Sequence, residues 1–206
     1  MSQRSKTVTA TDSDDRRAAN AIPEQQILDA AYALLLEVGM RRMTMADIAR
    51  QAAVSRATLY RRWSNVGGVV GTLMTREWGA VARSAFDDAA TTGRAQLVDG
   101  VVRVVAEIRR HPLLRKIIDL DPEFLLPYLL QRRGRSTDHQ LDLIEQVLRA
   151  GMADSSIRKG DAPAFARSVL LTAWSFALTG PALVARNELG PLDDQLRDLL
   201  DRYLAP

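Results

Sequence analysis

The sequence predicts an all-α protein: a three-helix head of helix-turn-helix design at the N-terminal end, then a larger helical bundle, about nine to ten helices in all. Three observations carry that reading. Apolar residues recur at three- and four-residue intervals from Pro23 onward. Prolines at 112, 122 and 191 fall where helices are expected to begin, as does Pro163 just after Asp161, and a missing N–H costs little there. No alternating apolar run bounded by turn pairs announces a strand.

The chain divides into a tail (1–22), a head (23–65) and a body (66–206). Residues 1–22 are rich in Ser, Thr, Asp and Arg and poor in large apolar groups, so a disordered tail is expected. Arg4, Lys6, Arg16 and Arg17 leave two readings open, a solvated tail or an arm into a minor groove. In the head, Ile27, Ala31, Leu34, Leu35 and Val38 form one apolar stripe. Gly39 then stands where a left-handed helix cap is wanted, with Met40 beyond it. Thr44 opens a second helix with Asp47 three residues on, a near capping box, and Met45, Ile48, Ala49 and Ala52 form its buried face. After a break at Ala53-Val54, Ser55 caps a third helix running to about residue 62, and Ser64 or Asn65 starts a fourth. Helices are expected in the body at about 66–88, 94–111, 112–120, 122–132, 137–152, 161–187 and 192–204.

Charge narrows the function. The net charge is only +3, but residues 41–62 hold Arg41, Arg42, Arg50, Arg56, Arg61 and Arg62 against the single acid Asp47. Positive charge gathered in one small segment is the footprint of a polyanion-binding surface. Neither short helix would be stable alone. Ile48, Ala52, Val54, Leu59 and Trp63 supply a small core that fixes both on the first helix. The third helix then presents Arg56, Ala57, Thr58, Tyr60, Arg61 and Arg62. Ala57 and Thr58 are small enough for a close approach to a major groove, where arginines fork onto guanine or grip phosphate. Arg41 and Arg42 read as solvated surface. For Tyr60 two readings stand: a backbone contact, or a core residue with a wet hydroxyl.

Residues 27–63 (ILDAAYALLLEVGMRRMTMADIARQAAVSRATLYRRW) resemble the head of TetR/AcrR-type regulators. That pattern is an apolar first helix ending in Gly, then Thr-x-x-x-Ile-Ala-x-x-Ala-Gly-Val-Ser-x-x-Thr-Leu-Tyr-x-x-Phe. The body resembles the family in its helical layout alone. The resemblance implies a ligand-responsive, DNA-binding transcriptional regulator, usually a repressor, acting as a dimer on a near-palindromic operator, and the lack of cysteine fits a reducing cytoplasm. It implies that Thr44, Ser55, Tyr60 and Arg62 hold the DNA backbone, that Arg56, Ala57 and Thr58 touch bases, and that Arg61 serves either task. Three departures stand out. Ala53 replaces the turn glycine, at a cost on the order of 1 kcal/mol. Arg62 replaces a common His and keeps a donor, whereas Val66 replaces a phosphate-binding Lys and loses one.

The resemblance also implies that helices 161–187 and 192–204 pair with their mates in a homodimer. Residues 168–185 run without a charge, the lower limit for a membrane span, but they include Ser, Thr and Gly180-Pro181, and no second span accompanies them. A buried soluble helix or an interface is the better use. A small-molecule effector is expected within 66–187. Its candidate contacts are Trp78, Arg103, His111, Phe124, Tyr128 and Trp174, with Phe86 and Phe176 as further walls, though each reads equally as core. His111, before Pro112, reads also as a helix cap. Gly67, Gly68 and Gly71 soften the start of the fourth helix, as a hinge or for close packing.

Other classes fare poorly. With no cysteine there is no thiolate metal site, disulfide or cysteine nucleophile. The two histidines, His111 and His139, lack metal-ligand spacing. The run from Val66 to Gly71 lacks the spacing of a nucleotide loop, and the acids Asp119, Asp121 and Glu123 read as capping around Pro122. No cofactor, no metal and no catalysis are expected. Two rivals remain: an architectural DNA binder without a sensor, against which a body of this size argues, and a degenerate head acting only as an interaction module, against which the retained arginines argue.

Overall fold

The computed structural model describes residues 11–86, 92–130 and 133–206, with side chains from residue 24 onward. Among the described residues the chain is helical throughout and has no strand. Two compact units emerge, 1–73 and 74–206, and their division falls inside a helix.

The first unit contains α1 (Thr11–Val38), α2 (Met45–Gln51), α3 (Arg56–Tyr60) and the start of α4 (Val66–Phe86). α1 begins at Thr11, inside the segment read as a tail from its composition. That segment lacks apolar groups, but acids at Asp12, Asp14 and Asp15 suit a helix N-terminus, and Ala18, Ala19 and Ala21 are strong helix formers. Residues 1–10, and the side chains of Arg16 and Arg17, lie outside the described residues. The predicted stripe of α1 is buried at Ile27, Ala31 and Leu35, and Gly39 adopts φ 78° to end the helix.

In the second unit, the helices expected at 94–111, 112–120 and 137–152 form α5 (Gly93–Arg110), α6 (Pro112–Leu120) and α8 (Arg135–Ala153). Between α6 and α8 the expected helix 122–132 is broken. A 3₁₀ turn, Pro122–Phe124, precedes α7 (Leu126–Leu130), because Pro127 has no N–H for an i→i−4 bond. The helix expected at 161–187 is likewise divided: α9 (Ala162–Trp174), a π-helical turn Ser175–Thr179, and α10 (Gly180–Leu183). Pro181 withholds the amide that Ala177 would receive, and the chain widens into a π turn just ahead of it. After a 3₁₀ turn at Arg186–Glu188, α11 (Leu189–Leu204) completes the unit. Among the described residues no helix is long and apolar enough to cross a membrane.

The core of this unit joins α5, α8, α9 and α11 through Leu97, Val101, Val105, Leu148, Val169 and Leu196, among others. α5 and α8 approach so closely that a Cβ on Gly93 would lie 2.5 Å from the backbone of Gly151. The loop after α8 caps α5: Gly93 N–H donates to Asp154 Oδ2 (2.7 Å) and Arg94 N–H to Ser156 Oγ (3.0 Å). The Ser156 side chain first, then the Gly93 and Ser156 N–H groups (Ser156 N–H to Oδ1, 2.8 Å), hold the Asp154 carboxyl below its ordinary range. Beyond the loop, Arg158 N–H donates to Leu204 O and its Nε to Tyr203 O, with its guanidinium stacked over Phe165 and Tyr203 at 4.3 and 4.9 Å. That staple holds the C-terminal end of α11.

Three Arg–Asp pairs set α11 against α5: Arg94–Asp201 (3.2 Å), Arg197–Asp99 and Arg109–Asp193. Arg109 continues the buried stripe Val98, Val102, Val105, so its charge is taken out of water and Asp193 is its counter-ion. Removing one member of a buried pair leaves an uncompensated charge. Asp193→Asn is therefore expected to lower unfolding free energy by about 3 kcal/mol or more, measured by urea denaturation.

Candidate nucleic-acid interface

α2 starts with a complete capping box. The Thr44 hydroxyl accepts from Asp47 N–H (3.1 Å) and donates to Asp47 Oδ2 (2.6 Å), while Thr44 N–H donates to the same carboxylate (3.2 Å). Arg50 adds a 2.6 Å bond to Asp47 Oδ1. The Thr44 hydroxyl, more than any other group, keeps the Asp47 carboxyl below its ordinary range. Thr44 is exposed, and its hydroxyl donates to an internal carboxylate. Met45, Ile48, Ala49 and Ala52 are buried, the face predicted for this helix.

The turn between α2 and α3 is made by Ala53 at φ 51°, the left-handed region where glycine is favoured. Val54 N–H closes it on Ala49 O (3.0 Å). α3 opens with Ser55, whose Oγ accepts from Thr58 N–H (3.0 Å) and shares a 2.9 Å hydrogen bond with Thr58 Oγ1. Leu59 is fully buried and Trp63 nearly so, with Trp63 Nε1 donating to Thr72 Oγ1 (2.8 Å). With that side held inward, Arg56, Ala57, Tyr60 and Arg61 form the exposed face, and Thr58 is half-buried at its edge. Tyr60 is 54% exposed, which removes its reading as a core residue.

Arg62 is placed differently from expectation. It is half-buried, and its Nη1 donates to Glu24 Oε2 at 2.5 Å. Glu24 and Gln26, both on α1, escaped the sequence reading. Gln26 Nε2 donates to Ala52 O (2.8 Å), at the turn, so the two side chains hold the segments on either side of α3. A signal existed, since Glu24 lies three and seven residues before Ile27 and Ala31 and so continues the core-facing stripe of α1. Asn65 Oδ1 accepts from Gly68 N–H (2.9 Å) and caps α4. A Cβ on Gly68 would meet Trp63 at an ordinary 3.5 Å, so packing does not demand a glycine there.

The candidate effector contacts in the second unit make the following pairings. Trp78 and His111 meet edge to face with centroids 5.0 Å apart. His111 Nδ1 accepts from Leu113 N–H (3.3 Å), which caps α6 and assigns the ring proton to Nε2, facing Glu77 at 3.5 Å. Phe124 and Tyr128 pair at 5.5 Å. Arg103 donates twice to Ala85 O, at 3.0 and 2.6 Å, and Phe86 lies against Gly100. Trp174 and Phe176 are half-buried against the core of α5, α8, α9 and α11. Among the described residues no group of three or more His, Asp or Glu side chains is placed to hold a metal ion.

A capped helix pair, a tight left-handed turn and an arginine-bearing outer face define a helix-turn-helix DNA-binding regulator. Comparison with known proteins gives the family. Residues 27–66 match the tetR family of bacterial regulatory proteins. An uncharacterized HTH-type transcriptional regulator of Mycobacterium bovis is 30% identical over 179 residues, covering 87% of this chain and 93% of its own. The chain belongs to the TetR family of transcriptional regulators. Its fold is shared by the R. erythropolis repressor QsdR (TM-score 0.68, 17% identity, 87% of this chain and 95% of that one). It is shared also by FadR of Bacillus subtilis, solved in complex with stearoyl-CoA (TM-score 0.61, 19% identity, 85% and 96%).

Two measurements test these local assignments. Ala53→Gly relieves the left-handed strain and is expected to stabilise the protein by about 1 kcal/mol, raising Tm by about 2–4 °C in a thermal melt. Burial pushes His111 below its ordinary 6.5, with the Glu77 carboxylate opposing the shift. A depressed imidazole binds its proton more weakly in the folded chain than in the unfolded one. Stability is therefore expected to fall as pH drops through 6.5 toward the lower folded value. Melts of His111→Asn across that window should show a flatter pH dependence than the parent.

Proposed function

We propose that the chain is a ligand-responsive repressor that binds a near-palindromic operator as a homodimer and leaves it when a small molecule binds. The exposed α3 face is the observation that carries this reading: Arg56, Ala57, Tyr60 and Arg61 point outward while Leu59 and Trp63 anchor the helix. Arg56, Ala57 and Thr58 would read base edges in the major groove. Ser55, Tyr60 and Arg61 would hold phosphates, and Thr44 would present the N-terminal end of α2 to the backbone. Arg62 enters as the tie to Glu24 rather than as a first-rank phosphate contact.

A dimer supplies two such helices about one DNA turn apart, roughly 34–36 Å. We assign its interface to residues 161–187 and 192–204, which leave Leu171 (64%), Leu183 (77%) and Leu199 (44%) exposed on a single chain. For the effector, the apolar helices of the second unit suit an aliphatic or mixed molecule. The complex of FadR with stearoyl-CoA offers a precedent on the same fold. Trp78 beside His111, and Phe124 beside Tyr128, are the aromatic walls to test first. The glycines at 67, 68 and 71 fit a hinge at the start of α4.

A gel-shift or anisotropy titration on the DNA upstream of the protein's own gene tests the reading directly. Affinity should fall about 10³-fold or more between 50 and 200 mM salt. Arg56→Ala should cost about 1–3 kcal/mol on the preferred site and relax its sequence preference, whereas Thr44→Ala should weaken all duplexes alike.

A further inference from the structure

Glu24 and Arg62 lie 38 residues apart in sequence, yet they form an ion pair at the end of the reading segment. The Arg62 side chain is 26% exposed and that of Glu24 40%, so both groups reach solvent. Arg61, its neighbour, is exposed on the α3 face. A carboxylate thus stands beside the arginines that the proposed function assigns to DNA.

We propose that Glu24 is a positioning residue that attenuates DNA affinity: by holding the Arg62 guanidinium it withholds one phosphate contact from every duplex, whatever the sequence. Bound to each other, the two charges sum to zero and release no counterion when DNA arrives. A phosphate approaching Arg62 has to displace the carboxylate and meets its like charge while doing so. The effect falls on the backbone component of affinity and leaves base discrimination by Arg56, Ala57 and Thr58 unchanged. A regulator so weakened lets go of DNA more readily.

This inference rests on the head being the DNA-binding surface, and the test separates the two. Glu24→Gln keeps shape and hydrogen-bonding capacity but removes the negative charge that opposes a phosphate at Arg62. Anisotropy titrations on a random-sequence duplex and on the upstream duplex should both show tighter binding. The log–log salt slope should steepen by about 0.9, which makes the gain about 3.5-fold larger at 50 mM than at 200 mM salt. The gain should vanish in the double variant Glu24→Gln/Arg62→Gln. A merely structural tie would lower the melting temperature and leave the slope alone. An unchanged or shallower slope in folded Glu24→Gln protein overturns the attenuator. If Arg56→Ala and Arg61→Ala still weaken binding in that case, the DNA-reading head stands without it; if they too change nothing, the head reading itself has failed.

Discussion

A helix of five residues has no stability of its own in water, and the whole reading of this protein depends on α3 being held in place. What holds it is apolar burial on one side: Leu59 at full burial and Trp63 close to it, with Ile48 and Ala52 of the neighbouring helix also removed from solvent. Because that side faces inward, the remaining side chains have no choice but to face out. Exposure of Arg56, Tyr60 and Arg61 is thus a consequence of where Leu59 is buried. The polar bonds around α3 refine this placement. Ser55 satisfies an N-terminal amide, Gln26 reaches the Ala52 carbonyl, and Glu24 holds Arg62 on the far side. Each adds modest free energy, but together they leave the helix little freedom to rotate and misdirect its arginines.

The second unit solves a different problem. Its four main core helices bury long apolar stripes against one another, which binds strongly but specifies axial register weakly. Register comes from features with short range: the Gly93–Gly151 approach, the Asp154 and Ser156 caps on α5, and the three Arg–Asp pairs between α5 and α11. Arg109 is the most exacting of these, since a guanidinium 5% exposed tolerates little displacement from its counter-ion. The π turn at Ser175–Thr179, just ahead of Pro181, interrupts the α-helical hydrogen bonding of the uncharged segment between α9 and α10.

Much of the head was legible in the sequence because its determinants are local. The capping box of Thr44 and Asp47, the Ser55 cap, the left-handed Gly39 and the strained Ala53 all involve residues within a turn of one another, so spacing alone announces them. The helical stripes were legible for the same reason, and so was the burial of Ile48 and Leu59. Where the reading went astray, the local signal pointed two ways. Asp and Ala in residues 11–22 favour a helix while the lack of apolar groups argues against a packed one, and the helix prevails. Pro127 and Pro181 were visible as residues, but whether each would stop, widen or merely begin a helix depended on the carbonyls around it.

By itself, then, the sequence determined the class of fold, the location of the reading helix and most of its caps, because these follow from hydrogen bonds and periodicities spanning a few residues. Tertiary structure alone decided the partners of the charged groups. Arg62 met Glu24 across 38 residues, Arg109 met Asp193 across 84, and Arg158 met the backbone of Tyr203 across 45. The physical reason is that ion pairs and stacked cations act through space, between surfaces that exist once helices have packed. A list of arginines does not say which are aimed at solvent, at DNA or at an acid on another helix.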